Sequence, residues 1–135
     1  MTVVELARQT GLAPDVIRYY TRIGLLKPLR NPANNYKQYS PADVKCARFI
    51  RHARWLGFAL AEIGEIIETS RQGISPCPKV RETIKRHIEE NGHTLENLIA
   101  LQHRMKSALA LWQTMPDEVP DDRTLCNLIE AIEDA

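Results

Sequence analysis

No run in this chain of 135 residues approaches the roughly 18 consecutive apolar positions that a membrane-spanning helix requires. A secretory leader is also missing: the first residues lack the basic, apolar and small-residue order, so the cytoplasm is the expected compartment. Cysteine is scarce and odd in number, at three, which argues against a disulfide framework and for reduced thiols. There is no glycine-rich phosphate loop, no His-Glu-x-x-His pair, and no cysteine with a suitable His and acid implied nearby. An enzyme is therefore not expected. Net charge is nearly absent as well, at +1.

That small net charge conceals a division. Residues 1–60 carry ten Lys and Arg against three Asp and Glu, whereas residues 61–135 carry eight against fourteen. The first part is thus +7 and the second −6. A basic half joined to an acidic one points to a polyanion partner for the first half only. A hydrophobic fraction of 44% places the chain among folded domains rather than disordered ones.

The apolar spacing then organises the chain. Val3, Val4, Leu6 and Ala7 make a short helical stripe with Thr2 as its cap, and Thr10-Gly11-Leu12 stops it. Pro14 opens a second helix through Val16, Ile17, Tyr20 and Ile23, ended by Gly24. Two short helices about a glycine-containing turn make a helix-turn-helix candidate. Lys27 to Tyr39 is too rich in Pro and Asn for a helix; Asn34-Asn35 suits a left-handed turn, so a small hairpin wing fits. Ser40-Pro41-Ala42-Asp43 opens a third helix over 41–55, Gly57-Phe58 breaks it, and a fourth follows over 60–70. Cys46 shares a face of the third helix with Ala42, Phe49, Ile50 and Ala53 and reads as core.

Gln72 to Pro78 reads as a linker. Beyond it Ile84, Ile88, Asn91, Leu95, Leu98, Gln102, Met105, Leu109 and Trp112 recur at alternating spacings of four and three, a heptad seam. A lone helix cannot bury such a stripe, so a homodimer is expected, with Asn91 and Gln102 fixing register. Met115 to Asp122 forms an acidic loop, and Thr124 to Ile132 reads as a last short helix. The organisation is then 1–72 DNA-binding domain, 73–112 linker and dimerisation helix, and 113–135 effector loop and C-terminal helix.

Ile17-Arg18-Tyr19-Tyr20 followed by Gly24-Leu25-Leu26 resembles the recognition-helix signature of the MerR family of transcriptional regulators. Asn35-Tyr36-Lys37-Gln38-Tyr39 is similar to that family's wing motif, with Lys37 where Arg is common. Phe49-Ile50, Leu56-Gly57-Phe58, the linker and the long helix extend the resemblance over nearly the whole chain. It implies a mainly α protein: a winged helix-turn-helix domain, a long antiparallel coiled-coil dimerisation helix and a short C-terminal helix. It also implies a dimer that binds a near-palindromic promoter operator and distorts it so that RNA polymerase can engage.

Within that reading the N-terminal half of the second helix enters the major groove, and Arg18 meets a guanine edge or a phosphate. Tyr19 and Tyr20 face different directions, one toward the DNA backbone and the other packed. Arg22, Arg30 and Lys37 are expected phosphate contacts at the helix end and wing, with Asn35, Tyr36 and Tyr39 alongside them from the wing motif. Arg48, Arg51 and Arg54 read as a solvated helix face that adds a general field.

The resemblance also bears on the effector. In metal-sensing branches of the family a cysteine begins the long helix and others lie beyond it. Cys77 and Cys126 stand in such places, although Trp112 occupies a position where those sensors carry a further cysteine. Cys77 of one subunit would then approach Cys126 of the other and hold a soft or borderline metal ion, with Asp117, Glu118, Asp121, Asp122 and His87 as weaker candidate donors. The four-cysteine cluster of the iron–sulfur branch is absent. A thiol switch responding to oxidants or electrophiles, a small organic effector beside Trp112, and an architectural DNA binder stay open as alternatives.

Overall fold

In the computed structural model, which describes residues 1–133, the order of elements follows from local capping chemistry. Helix α1 (Val3–Thr10) starts where the Thr2 hydroxyl accepts the Glu5 N–H, 3.2 Å away. It stops at Gly11, whose φ of 73° lets its N–H reach the Ala7 carbonyl. Helix α2 (Pro14–Arg22) carries Pro14 in its first turn, where the missing N–H leaves no bond unmade. Strands β1 (Leu29–Arg30) and β2 (Lys37–Gln38) pair antiparallel, Leu29 opposite Gln38 and Arg30 opposite Lys37, and form the expected wing.

Helix α3 (Pro41–Trp55) opens on a reciprocal cap. The Ser40 hydroxyl accepts the Asp43 N–H, and the Asp43 carboxylate accepts the Ser40 N–H, at 3.3 and 2.8 Å. Such a cap contributes about 1 kcal/mol. Helix α4 (Leu60–Arg71) has no capping side chain at Ala59; the Glu62 carboxylate reaches back to the Ala59 N–H instead, at 2.8 Å.

The chain divides into two compact units, one ending at His87 and the other starting at Ile88. The core of the first is built from Leu6, Ile17, Leu26, Ile50 and Ile63, which have almost no exposed surface. Each contributes about 1.5–3 kcal/mol through burial. Val80 and Ile84 pack against this core and Thr83 is buried, so the unit runs beyond residue 72 into the long helix.

That helix, α5 (Cys77–Trp112), has 36 residues and a length of about 54 Å. It begins inside the segment expected as linker. Pro78 fits its first turn, the Pro76 carbonyl accepts the Val80 N–H, and the Ser75 hydroxyl accepts that of Cys77. Ile88, Leu95, Leu98, Met105 and Leu109 of the heptad seam are each more than half exposed.

The last helix is shorter than expected. Helix α6 covers only Asn127–Glu130, not Thr124 to Ile132. The Asp121 carboxylate accepts the N–H groups of both Arg123 and Thr124, and this turn holds the chain out of helical geometry. Cys126 is extended, with φ −147°. No helix among the described residues is long and apolar enough to cross a membrane.

Candidate nucleic-acid interface

A groove of about 860 Å³ runs between the N-terminal segment, Arg18 on α2 and the wing, with Arg30 and Lys37 along it. Arg18 pairs with Asp15 one turn earlier, at 2.9 Å, with both side chains largely in solvent. An exposed pair of this kind contributes at most about 1 kcal/mol and is readily exchanged for a phosphate or a base edge. Arg22 lies over the Tyr19 ring, 5.2 Å from its centroid, which fixes two of the expected contacts as one cation–aromatic unit.

The wing has an electrostatic feature that folding alone does not explain. Arg30 and Lys37 are direct cross-strand partners, both exposed. Like charges facing each other across a two-residue ladder repel, and an anion between them would remove that repulsion. The tip is shaped by side chains that serve the backbone: the Asn31 carbonyl group of the side chain accepts the Ala33 N–H, and that of Asn34 accepts the Tyr36 N–H. Asn35 adopts the left-handed conformation at φ 60°, and Tyr36 projects outward, 74% exposed. Asn35 thus makes the turn, and Tyr36 and Lys37 are what the turn presents.

Two of the nine expected DNA contacts belong to the core instead. Tyr20 is 7% exposed because it lies one turn after Ile17 on the buried face of α2. Tyr39 is 3% exposed, and its hydroxyl lies 2.7 Å from that of Thr21, tying the wing to the recognition helix. Both position the interface rather than lie on it; Tyr19, next along the helix, takes the outward direction.

The arginines of α3 also differ from a solvated field. Arg48 donates to the Gln9 carbonyl at 3.2 Å, Arg51 to that of Thr10 at 3.3 Å, and Arg54 to that of Phe58 at 2.9 Å. They close the carbonyl ends of α1 and α3, where a cation is favoured. At Gly11 a Cβ would lie 3.1 Å from the Arg51 guanidinium, in a backbone conformation that already excludes most side chains. Trp55, not among the expected contacts, is 87% exposed beside Arg51, His52 and Arg54. Its position off the Ala47–Ile50–Ala53 stripe is the signal that could have revealed it.

The three thiols differ in setting. Cys77 is exposed at the start of α5, and Cys126 is half-buried beside α6. Cys46 is half-buried against the core, with its thiol 3.6 Å from the Leu25 carbonyl, and burial pushes its pKa up. Two thiolates suit a soft ion in linear coordination. A three- or four-coordinate site needs further donors, and among the described residues one chain gathers no group of three His, Cys, Asp or Glu fit to hold a metal. His87, a candidate donor, instead bonds Glu62 at 2.8 Å, and Asp121 is occupied by its turn. Trp112 donates its indole N–H to the Leu128 carbonyl at 2.6 Å and so fastens the tail to the end of α5.

Comparison with known proteins agrees with this geometry. Residues 1–70 match the family described as MerR HTH family regulatory protein, and residues 47–110 match the family described as MerR, DNA binding. An uncharacterised HTH-type transcriptional regulator of Pseudomonas aeruginosa is 32% identical over 78% of this chain and 80% of its own length. Heavy metal-dependent transcription regulator 2 of Rhizobium meliloti is 33% identical over 98% of this chain and 86% of its own. The crystal structure of the transcription regulator PbrR691 from Ralstonia metallidurans in complex with lead(II) shares the fold. It superposes with a TM-score of 0.76 at 20% identity, over 97% of this chain and 98% of that one.

Proposed function

The chain belongs to the MerR family of helix-turn-helix regulatory proteins, DNA-binding transcription regulators and not enzymes, and we propose that its dimer grips and distorts promoter DNA through the groove of Arg18, Arg30 and Lys37. The observation that carries this is the Arg30–Lys37 rung: two cations held face to face beside the recognition helix, awaiting a phosphate. Arg18 reads a base edge or anchors to the backbone, Arg22 and Tyr19 act together at the helix end, and Tyr36 and Asn35 complete the wing tip. The exposed seam of α5 pairs with that of a second copy. The distorted operator is the form that RNA polymerase engages.

The test uses DNA selected by the protein from a random pool. Arg18→Ala is expected to lose roughly 5- to 150-fold in affinity, from the 1–3 kcal/mol of a good bidentate base contact, while remaining folded. Unchanged affinity in a gel-shift titration at fixed salt removes Arg18 from the interface.

The effector in this reading is a soft or borderline metal ion held by Cys77 of one subunit and Cys126 of the partner subunit. The exposure of Cys77 at the first turn of α5 and the heavy-metal-dependent relative support it. Purified anaerobically with reductant, then exposed to mercury(II), copper(I) or lead(II) and desalted, the protein should retain metal in fixed proportion to dimer. A Cys77→Ser/Cys126→Ser variant should not. No retained metal together with rapidly oxidised thiols would establish a thiol switch, and inert thiols would leave an organic effector or an architectural role.

A further inference from the structure

One carboxylate in the first compact unit has more partners than helix capping requires. Glu62 stands in the first turn of α4, where one of its oxygens accepts the Ala59 N–H at 2.8 Å. That same oxygen lies 2.8 Å from His87 Nε2, and the other accepts from the Arg86 guanidinium at 2.6 Å. Arg86 and His87 are consecutive residues of α5, so a single side chain joins the corner before α4, α4 itself and the long helix. The edge of the His87 ring meets Phe58, with centroids 6.1 Å apart and planes at 72°, and Phe58 is itself in the core. Glu62 and His87 are largely shielded from solvent. Donation from Ala59 and then His87 holds the Glu62 carboxyl below the usual carboxylate range, so it is charged at neutral pH.

The position of this contact gives it a meaning beyond stability. Between the end of α4 at Arg71 and the start of α5 at Cys77 the chain is not helical, and such a segment is where two helices would swing independently. The Glu62 contacts close that segment from the far side, three helical turns along α5, and His87 is the last residue of the first unit. Val80 and Ile84 supply apolar contact but little directional constraint. A charged, multiply bonded carboxylate supplies the direction.

We propose that Glu62 is a positioning residue that clamps the start of α5 to the DNA-binding head, so that a change in the direction of α5 is delivered to α2 and the wing instead of being absorbed between Arg71 and Cys77. Glu62 touches neither the groove nor either candidate effector thiol. Its loss therefore separates binding from response. This inference rests on the reading of the chain as an effector-controlled regulator, and the test keeps the two apart.

Glu62→Gln preserves volume and can still accept the Ala59 N–H, but its amide carries no charge for Arg86. Full-length Glu62→Gln is expected to bind the selected DNA within about threefold of wild type and to retain metal equally. Its ratio of metal-induced to uninduced transcription, with mercury(II), copper(I) and lead(II) as probes, should fall at least tenfold. Amide hydrogen exchange over residues 73–87 should quicken at least tenfold, with α1 to α3 unchanged. The charge-reversed pair Glu62→Arg/Arg86→Glu should recover part of both effects, which loss of packing alone would not allow. An induction ratio within twofold of wild type, or unchanged exchange over 73–87, overturns the proposal. If no probe metal induces the wild type, the metal reading falls, and the exchange and charge-reversal measurements decide the clamp on their own.

Discussion

Replacing Tyr39 by phenylalanine separates support of the interface from contact with DNA. The Tyr39 hydroxyl lies 2.7 Å from Thr21 Oγ1, and Thr21 donates its own proton to the Ile17 carbonyl at 2.8 Å. With that proton engaged, Tyr39 is the donor of the shared bond. Tyr39→Phe then deletes one hydrogen bond, strands no buried donor, and keeps every contact of the ring. The net cost is about 1 kcal/mol, well short of the roughly 3–5 kcal/mol that follows when a buried aromatic ring is truncated to alanine. With urea slopes of about 1–3 kcal/mol per molar, the unfolding midpoint should fall by about 0.3–1 M without a change of slope. The assay is urea unfolding followed by far-ultraviolet circular dichroism at fixed protein concentration, which an associating chain requires. Operator affinity at fixed salt should stay within about twofold, because a loss of about 1 kcal/mol leaves a typical domain folded. An unmoved midpoint combined with a tenfold loss of affinity would place the hydroxyl on DNA and refute the assignment.

Lys37→Ala removes one phosphate contact per subunit, so the slope of log affinity against log salt should become shallower by about 1.8 for a dimer; an unchanged slope takes Lys37 off the backbone. Leu98→Asp places a charge on the exposed seam of α5 and should shift sedimentation equilibrium from dimer to monomer, whereas an unaltered mass would send dimerisation elsewhere. Iodoacetamide at pH 8 should modify exposed Cys77 before Cys46, whose thiol is pushed up by burial, and mass spectrometry of the digested protein gives the order. Because the Glu62 carboxyl is held below its ordinary value of 4.5, its stabilisation is complete above that pH and is lost as pH falls through the lowered value. The gap in thermal stability between wild type and Glu62→Gln should therefore be wide at pH 7 and narrow toward pH 3.

Where the chain marks its own boundaries, the elements were legible from residues. Thr2, Pro14, Ser40 with Asp43, Gly11 and Gly57 are local signals, and each acts within one helical turn. The burial of Tyr20 was also within reach, since it follows Ile17 by three positions on α2. Tyr39 was not: β2 has two residues, too few for an alternation that tells inside from outside. The shortening of α6 depended on Asp121 bonding two backbone groups, a competition that apolar periodicity does not register. Long-range contacts escaped altogether. Arg48 on Gln9, Arg51 on Thr10 and Glu62 on His87 join residues 25 or more positions apart, and surface charges look alike in sequence whether they meet water or a carbonyl.

The hydrogen bond from Trp112 to Leu128 gives the chain a built-in optical reporter. There are two tryptophans. Trp55 is bathed in solvent, and its emission should be red-shifted and open to acrylamide quenching. Trp112 is half-buried with its indole N–H engaged, so it should emit to the blue and resist quenching for as long as the tail stays fastened. Release of the segment that carries Cys126 would turn the second lamp into a copy of the first. Undocking of the tail can thus be followed in unlabelled protein, in real time, with Trp55→Phe as the single-colour version.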